Sequence, residues 1–417
     1  MISPQSKSWI DDVLYATREA ESPTSYIYWS SICAISAVLR NKVYIDRQYH
    51  KIYPNLYVLL VGTSGLRKGF PVAISKGFVE RVGNTRVITG RNSIQGIIQK
   101  LSVTQTTPDG RAPITHSSAY INSGEFSTSL VRDPDALTIL TDLYDGHYNE
   151  EWTNTLKSGV EALKGVNLTL LGGINPTHFN DIITVKELQG GFIGRCIVVL
   201  EKKRARKNSL LRPLKNKFEP EKLGEYLKQL VDLEGPFTLT EEAIDTFDAW
   251  YDKFEPETME DKTGTVQRVH DQILKVAMCL AVSKKPVLLI NKEDIEEAMD
   301  ACLGSSVTVG KVTAGSGVSA DSSQMRLVMQ ELLAAPKYKI GRTAILRNHY
   351  GDFSAPQLDT IINTLEEAKA ITRYIEDKET WYQLTDAAVT SFERIIKKEN
   401  VISFPAVVPN DVEEEIK

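Results

Sequence analysis

Apolar residues along the chain form five short continuous runs, and longer, more polar segments separate them. The runs are LYVLLV (56–61), TRVIT (85–89), SAYIN (118–122), NLTLLGGI (167–174) and RCIVVL (195–200). Continuous runs of this length, joined by helix-length segments, are typical of strands that are buried on both faces of a parallel sheet. The pattern therefore predicts an α/β domain over residues 51–208, with a mainly parallel sheet and helices on both faces.

The segments that flank this region have a helical pattern. Residues 1–50 predict helices and one short strand, NKVYIDRQ. Residues 209–315 predict a helical region in which PFTLT (236–240) is one further candidate strand and GTVQRVHDQILKVAMCLAVSKK is the most amphipathic helix.

A second domain follows a small, polar segment, GKVTAGSGVSADSS, whose composition is typical of a linker. Residues 316–395 predict three helices and a two-stranded hairpin, which is the pattern of a winged helix. Ser354 and Gln357 have the spacing of a capping box at the start of the last of these helices. Residues 396–417 are expected to form a disordered tail.

Composition narrows the class of protein. The chain has 417 residues, of which 42% are hydrophobic and 25% are charged, as in globular proteins with more than one core. Neither a signal peptide nor an apolar run of about 18 residues is present, so a cytoplasmic protein without a membrane partner is expected. The four cysteines are widely separated in apolar surroundings, which predicts reduced core thiols rather than a zinc site or disulfides. Because the net charge is −5, nucleic acid would need a local basic surface.

The first apolar run ends in a glycine-rich loop, VGTSGLRKGFP. A strand that leads through glycines into a helix brings backbone amides and the positive helix terminus to one point, where phosphate binds, and a lysine then reaches the outer phosphates. Gly62 and Lys68 have the GxxxxGK spacing, but the second glycine is at 65, and Gly69 replaces the Ser or Thr that holds Mg²⁺. The predicted ATP-binding residues of this loop are Gly62, Thr63, Ser64, Gly65, Leu66, Arg67, Lys68, Gly69 and Phe70. The alternative is a strand-to-helix turn whose glycines and lysine are incidental.

Polar residues that follow two other strands extend this candidate site. Glu125 follows SAYIN and is the candidate general base, although Gly124 occupies the preceding position, where an aspartate is usual. Asn175 ends the fourth run and is a candidate for positioning the attacking water. For Glu125, a solvated glutamate at the end of a strand is the alternative.

Two arginines are further candidates. Arg195 precedes the fifth run and is placed to stabilise charge on a neighbouring subunit's nucleotide, as an arginine finger does. Arg268 lies in the helical region, where a lid helix can offer an arginine to ATP. A surface ion pair for Arg195 and a charge on a helix face for Arg268 are the alternatives.

Five segments follow one another within residues 20–300: YPNLYVLLVGTSGLRKG, INSGEF, LTDLYDG, LTLLGGINP and GGFIGRCIVV. Their order resembles that found in the primase–helicase-type P-loop ATPases of phages, plasmids and other mobile elements. These are related to superfamily 3 and minichromosome-maintenance helicases. The resemblance implies an AAA+- or RecA-like core with a helical lid, ATP and Mg²⁺ as cofactors, and a ring, with a hexamer expected, in which each site is completed by its neighbour. The family often has a small hydroxyl residue where this chain has Phe70, so the metal ligands are unassigned; Ser64, Ser123 or waters are alternatives.

Candidate DNA-binding residues lie in three places. EEWTNTLKSGVEALKG predicts a hairpin, and in the related helicases a hairpin here projects into the ring channel, which implies that Lys157 and Lys164 contact single-stranded DNA. The segment EKKRARKNSLLRPLKNK (201–217) is either a second phosphate-binding surface or a solvated linker. The winged helix has an acidic second helix, so DNA contact through Arg342, Arg347 and His349 and binding of a replication partner protein both stay open.

The sequence thus predicts an ATP-dependent, ring-forming DNA helicase or replication motor of a mobile element, which hydrolyses ATP to move on single-stranded DNA. Two alternatives remain open. One is a nucleotide-binding scaffold without hydrolysis, suggested by Gly69, Phe70 and Gly124. The other is an ATP-dependent DNA-binding regulator or defence component.

Overall fold

The structure is a computed structural model, and its contacts divide the chain into two compact units, residues 1–316 and 317–417. The residues that it describes are 6–90, 92–102, 116–126, 135–146, 151–156, 159–176, 178–179, 191–208, 218–256, 263–313, 320–376, 379–386 and 388–389. The predicted tail therefore lies outside the described residues.

The first unit begins with two helices and two short strands and continues into an alternation of strands and helices. The opening elements are α1 (Trp9–Ala16), α2 (Thr24–Leu39), β1 (Val43–Asp46) and β2 (Lys51–Ile52). The alternating elements are β3 (Tyr57–Val61), α3 (Gly69–Val82), β4 (Arg86–Thr89), α4 (Ile94–Leu101), β5 (Ser118–Ser123), α5 (Ala136–Asp145), β6 (Glu151–Leu156), β7 (Gly159–Lys164), β8 (Asn167–Ile174) and β9 (Cys196–Leu200).

All five predicted apolar runs are strands of one sheet. The sheet has the order β4-β5-β8-β3-β9, and every neighbouring pair is parallel. Alternate residues of β3 belong to two different cores. Val58 and Leu60 pack with α2 and α3, whereas Leu59 and Val61 pack with α4 and α5. The prediction of an α/β domain with a parallel sheet covered on both faces is confirmed.

The order of the strands creates a topological switch point between β3 and β8. From β3 the chain crosses to the far strand β4, returns through β5 to β8, and then crosses over β3 to reach β9. The connections that leave the neighbours β3 and β8 therefore run in opposite directions. In open parallel sheets, a ligand-binding crevice forms at the carboxyl ends of strands at such a switch point.

The remainder of the first unit is mainly helical. It contains α6 (Pro220–Gln229), β10 (Gly235–Pro236), β11 (Thr238–Leu239), α7 (Glu241–Tyr251), α8 (Val269–Lys284), β12 (Leu289–Ile290) and α9 (Lys292–Thr313). The sequence predicts an amphipathic helix here, and this prediction is wrong for α8. The helix is buried on nearly all sides because α2 and α9 both pack on it. All four cysteines are buried free thiols, as predicted.

In the part of the second unit that the structure describes, there are three α-helices and a three-stranded antiparallel sheet. Its elements are α10 (Ala320–Ala334), β13 (Lys339–Gly341), α11 (Arg342–Asn348), α12 (Ala355–Glu367), β14 (Ile371–Glu376) and β15 (Glu379–Leu384). The sheet has the order β13-β15-β14, so β13 is a strand that the sequence does not predict. The capping box is present, because Gln357 accepts a hydrogen bond of 2.7 Å from the backbone N–H of Ser354.

Across the described ranges, no helix has both the length and the apolar character that crossing a membrane requires.

Candidate functional site

Residues 62–69, the glycine loop, leave β3 at the switch point and lead into the first turn of α3. The N–H of Gly62 donates to the carbonyl of Ile174 at 3.1 Å, which ties the loop to the end of β8. A Cβ atom at position 62 would lie 2.5 Å from the hydroxyl of Tyr26, and that hydroxyl donates to the carbonyl of Val61 at 2.6 Å. Only glycine therefore fits at the start of the loop.

The middle of the loop has an unusual backbone. Gly65 has φ of 89° and Arg67 has φ of 58°, so both are in the left-handed region. Glycine adopts this region readily, whereas for arginine it is uncommon and is mostly found where surrounding structure enforces it. At Arg67 the carbonyl accepts a hydrogen bond of 2.8 Å from the hydroxyl of Ser22 and another of 3.2 Å from the N–H of Phe70. The loop is thus held in one shape by contacts from outside it.

Lys68 lies across this loop. Its ammonium donates to the carbonyl of Thr63 at 3.1 Å and to the carbonyl of Gly62. Burial lowers the pKa of Lys68 below its ordinary value, and the nearby Glu125 carboxylate partly offsets this effect. The lysine and the candidate general base are therefore close enough to interact electrostatically.

The carboxyl end of β5 meets the loop through glycines. A Cβ atom on Gly173 of β8 would lie 2.5 Å from the carbonyl oxygen of Gly124 and 3.6 Å from Cβ of Lys68. Gly173 therefore lets β5, β8 and the loop approach one another, and it brings exposed Glu125 beside Lys68. Gly173 is not among the predicted site residues, although glycine inside a strand is a known signal of close backbone approach.

Asn175 follows β8 directly and is half-buried. Its neighbour Ile174 accepts the hydrogen bond from Gly62, so Asn175 lies at the same edge as the loop. Three of the four predicted catalytic residues, Lys68, Glu125 and Asn175, thus converge at the switch point.

Gly69 and Gly124 occupy the two positions where metal-binding side chains are usual, and the space beside each glycine is empty of protein atoms. A Cβ atom on Gly69 or on Gly124 would meet no other atom within 4 Å. Within the described ranges, no group of three or more His, Cys, Asp or Glu could hold a metal ion. Mg²⁺ commonly keeps several waters and binds through one or two carboxylates and substrate phosphates. Glu125 and Ser123, on either side of the open position at Gly124, would supply a carboxylate and a hydroxyl oxygen to such an ion.

Glu21 and Arg204, which the sequence does not predict as site residues, contact the outside of the loop. The Glu21 carboxylate accepts hydrogen bonds from Nε of Arg67 at 2.8 Å and from Nη1 of Arg204 at 3.2 Å. Nε of Arg204 also donates to the carbonyl of Gly65 at 3.0 Å. The hydrogen bond from Arg67 is the largest of the effects that lower the pKa of Glu21. Arg204 lies in the basic segment for which DNA contact was one interpretation, and residues 209–217 of that segment lie outside the described ranges.

Arg195 and Arg268 lie at the opposite edge of the sheet. Arg195 precedes Cys196, which pairs with Tyr57 at the start of β3, whereas the glycine loop follows the end of β3. The five residues of β3, at about 3.3 Å each, put about 17 Å between the two edges. The side chain of Arg195 is bound to Asp145. Burial lowers the pKa of Arg268, and the nearby charge of Arg195 lowers it further. Within one chain, neither arginine is brought to the glycine loop.

A buried lysine lies beside these arginines. Lys275 is 7% exposed, donates to Oδ1 of Asn55 at 2.8 Å and stands 4.0 Å above the centre of the Tyr144 ring. Burial lowers the pKa of Lys275 to about 7, while the carboxylates of Asp271 and Asp145 oppose this shift.

The predicted hairpin is formed by β6 and β7, which pair from Glu151–Lys164 at its base to Leu156–Gly159. Lys164 is exposed, and its backbone is bonded to Ser117 at the amino edge of the sheet. Lys157 lies outside the described residues.

In the second unit, the predicted DNA-contacting cations are mostly paired with acids. Arg342 is bound to Asp359 by two hydrogen bonds, one of them 3.1 Å long. His349 lies between Asp352, at 2.9 Å, and Glu331, at 3.2 Å. Arg347 is exposed. Because the guanidinium of Arg342 is paired with a carboxylate and both ring nitrogens of His349 contact carboxylates, these two residues are poorly suited to bind a phosphate backbone.

Comparison with protein-family models and with curated proteins finds no match for this chain. The geometry at the switch point is therefore the main evidence for function. It combines a constrained glycine loop, an ammonium, a carboxylate and an amide at the place where open parallel sheets bind ligands.

Proposed function

We propose that this chain is a P-loop ATPase and that it acts as a ring-forming motor on single-stranded DNA. The observation that carries the proposal is the convergence of Lys68, Glu125 and Asn175 around the glycine loop at the switch point of the parallel sheet. A loop of this form, leading into a helix N-terminus, is suited to bind phosphate groups.

Each residue has a role that its position supports. The amides of residues 62–69 surround the phosphates of ATP, and Lys68 contacts the outer ones after leaving the carbonyls of Gly62 and Thr63. Glu125 takes the proton of the attacking water, and Asn175 orients that water. A magnesium ion bound with the nucleotide would neutralise charge on the phosphates, with Glu125 and Ser123 as the nearby oxygen donors.

The ring assignment is supported by the separation of Arg195 from the loop of its own chain. An arginine at the amino edge reaches a nucleotide only if a neighbouring subunit presents its carboxyl edge to it. Arg195 is then the residue that stabilises charge on the transferring phosphate, and Arg268 lies beside it.

The DNA-binding assignment rests on the β6–β7 hairpin and on the resemblance to mobile-element helicases. The hairpin carries Lys157 and Lys164, and clustered cations bind single-stranded backbones without reading their sequence. We interpret the second unit as a winged helix that binds a replication partner protein rather than DNA, because Arg342 and His349 are already bonded to the carboxylates of Asp359 and Asp352.

The test is ATP hydrolysis by the purified protein with Mg²⁺, measured with and without single-stranded DNA. Turnover that DNA stimulates, and that both Lys68→Ala and Glu125→Gln abolish, supports the motor. The loss in Glu125→Gln is expected to be roughly 10²- to 10⁴-fold. ATP binding without turnover above the Lys68→Ala background would reject the motor in favour of a nucleotide-binding scaffold that does not hydrolyse ATP. The absence of metal-binding side chains at Gly69 and Gly124 favours this alternative. Sequence-specific duplex binding without turnover would point to the regulator.

A further inference from the structure

The outside of the glycine loop carries more positive charge than the loop motif alone supplies. Arg67 belongs to the loop, and Arg204 reaches it from the segment that follows β9. Both guanidinium groups are held by the same carboxylate, that of Glu21, whose side chain is only 10% exposed. The side chains of Arg67 and Arg204 are 46% and 40% exposed.

The position of Arg204 is fixed by the fold. The N–H of Glu201 donates to the carbonyl of Val61 at 3.1 Å, which continues the pairing of β9 with β3 up to the start of the loop. The N–H of Ala205 donates to the carbonyl of Glu21 at 3.2 Å. Between these two anchors, Nε of Arg204 donates to the carbonyl of Gly65, and its Nη2 lies 3.8 Å from where a Cβ atom of Gly65 would be. The guanidinium therefore covers the second glycine of the loop.

We propose that Arg204 is a further phosphate-binding residue of this site, which Glu21 positions and which partly replaces the magnesium shell. This inference rests on the proposed nucleotide site. The two side chains that usually support the metal are replaced by Gly69 and Gly124, whereas Lys68, Arg67 and Arg204 bring three cations to the loop. Arg67 and Arg204 share the single carboxylate of Glu21, so their positive charge is only partly compensated. Guanidinium groups bind phosphate oxygens through two parallel hydrogen bonds and stay charged at all physiological pH values. The expected ligand is the phosphate chain of a nucleoside triphosphate.

The test compares ATP affinity with Mg²⁺ and with EDTA in full-length protein, using a fluorescent ATP analogue as the probe. The wild type is expected to lose less than about tenfold in affinity when Mg²⁺ is removed. Arg204→Gln is expected to weaken binding in EDTA by roughly 10- to 100-fold, the usual effect of losing a charged hydrogen bond. Lys202→Gln is the matched control, because it removes the same charge from an exposed position of the same segment.

The outcomes separate this inference from the proposed function. If the wild type binds no ATP, the nucleotide site itself is wrong. If the wild type binds ATP but Arg204→Gln behaves like Lys202→Gln, only the role of Arg204 is overturned. A second probe is the matching fluorescent adenosine analogue, which carries no phosphate. If Arg204→Gln loses equal affinity for both analogues, the role of Arg204 in phosphate binding is also overturned, because the arginine would then only maintain the shape of the loop.

Discussion

Arg195 is bound through its guanidinium to both carboxylate oxygens of Asp145, with Nε lying 2.9 Å from Oδ1. Nη1 of the same arginine donates to the carbonyl of Gly191 at 3.0 Å. The arginine side chain is 11% exposed, while that of Asp145 is 57% exposed. In the proposed ring, Arg195 would have to leave this pairing with Asp145 before it could act on a neighbour's nucleotide.

Mixing two inactive variants tests whether Arg195 acts between subunits. Lys68→Ala removes the phosphate contact of a chain's own loop, and Arg195→Ala removes the contribution to a neighbour. In mixed rings, the interface between an intact loop and an intact Arg195 is complete, so we expect ATP turnover to return to a measurable fraction of the wild-type rate. The measurement is turnover as a function of the mixing ratio.

The control for this experiment is each variant alone at the same total concentration. If both stay inactive alone and the mixture is also inactive, although gel filtration shows mixed assemblies, Arg195 does not act between subunits.

The open space at Gly69 and Gly124 allows the missing metal-binding side chains to be restored. A serine at 69 or an aspartate at 124 would meet no atom within 4 Å at Cβ, and neither glycine has a positive φ angle. We expect Gly69→Ser and Gly124→Asp to fold normally and to raise Mg²⁺-dependent turnover by about tenfold or more, because a better-held metal stabilises charge on the phosphates. Steady-state ATP hydrolysis against Mg²⁺ concentration measures the effect.

Gly173→Ala provides the matched control, since its Cβ would lie 2.5 Å from the carbonyl of Gly124. Overpacking of this kind costs about 1–3 kcal/mol, and here it also displaces the end of β5 from the loop. The variant should therefore lose turnover and thermal stability. Equal behaviour of the substitutions at 69, 124 and 173 would contradict the close contact between β5, β8 and the loop.

The parts of the site that the sequence predicts are those that directly follow an apolar strand. Gly62, Glu125 and Asn175 each come at or just after the end of such a run, and parallel strands bring their carboxyl ends to one edge. Glu21 and Arg204 were not predicted because they join the loop through tertiary contacts, from chain positions 46 residues before Arg67 and 139 residues after Gly65. Arg204 also lies in a run of basic residues that suggested nucleic acid instead.

In the second unit, too, local sequence patterns predict only part of the fold. Its three helices and its hairpin follow from apolar periodicity and from the capping box at Ser354. Strand β13 has only three residues, Lys339–Gly341, too few to show any alternation. Its pairing with β15 is fixed by the tertiary structure rather than by a local pattern.

The hairpin predicts unequal effects for its two lysines. Lys164 pairs with Glu151 at the base, and its backbone is bonded to the edge of the sheet, whereas Lys157 follows the last paired residue of β6 in the sequence. We expect Lys157→Ala to reduce DNA-stimulated turnover more than Lys164→Ala does. Losing one phosphate contact should also lower the dependence of log K on log salt by about 0.7 for single-stranded DNA. Binding titrations at several salt concentrations measure this slope, and unchanged slopes in both variants would remove the hairpin from the DNA-binding surface.

Lys275 makes the stability of the first unit depend on pH. Its pKa is about 7 in the folded chain because it is buried, whereas an unfolded lysine has a pKa of 10.5. Between these values the unfolded chain binds one proton more than the folded chain, so the free energy of unfolding rises with pH. Within that window, this group makes the free energy of unfolding rise by about 1.4 kcal/mol per pH unit. Above the unfolded pKa and below the folded pKa, this slope falls to zero.

Lys275→Met removes this titration and keeps a side chain of similar length. We expect the wild type to gain more stability than Lys275→Met between pH 7.5 and pH 9.5, as measured by urea unfolding followed through tryptophan fluorescence. The control is Lys285→Met, since Lys285 lies just beyond the end of the same helix and is exposed. If Lys275→Met and Lys285→Met have the same pH dependence, Lys275 is protonated in the folded state throughout this range. Its contacts with Asn55 and Tyr144 would then be those of a charged ammonium group, whose burial the aspartates at 145 and 271 compensate.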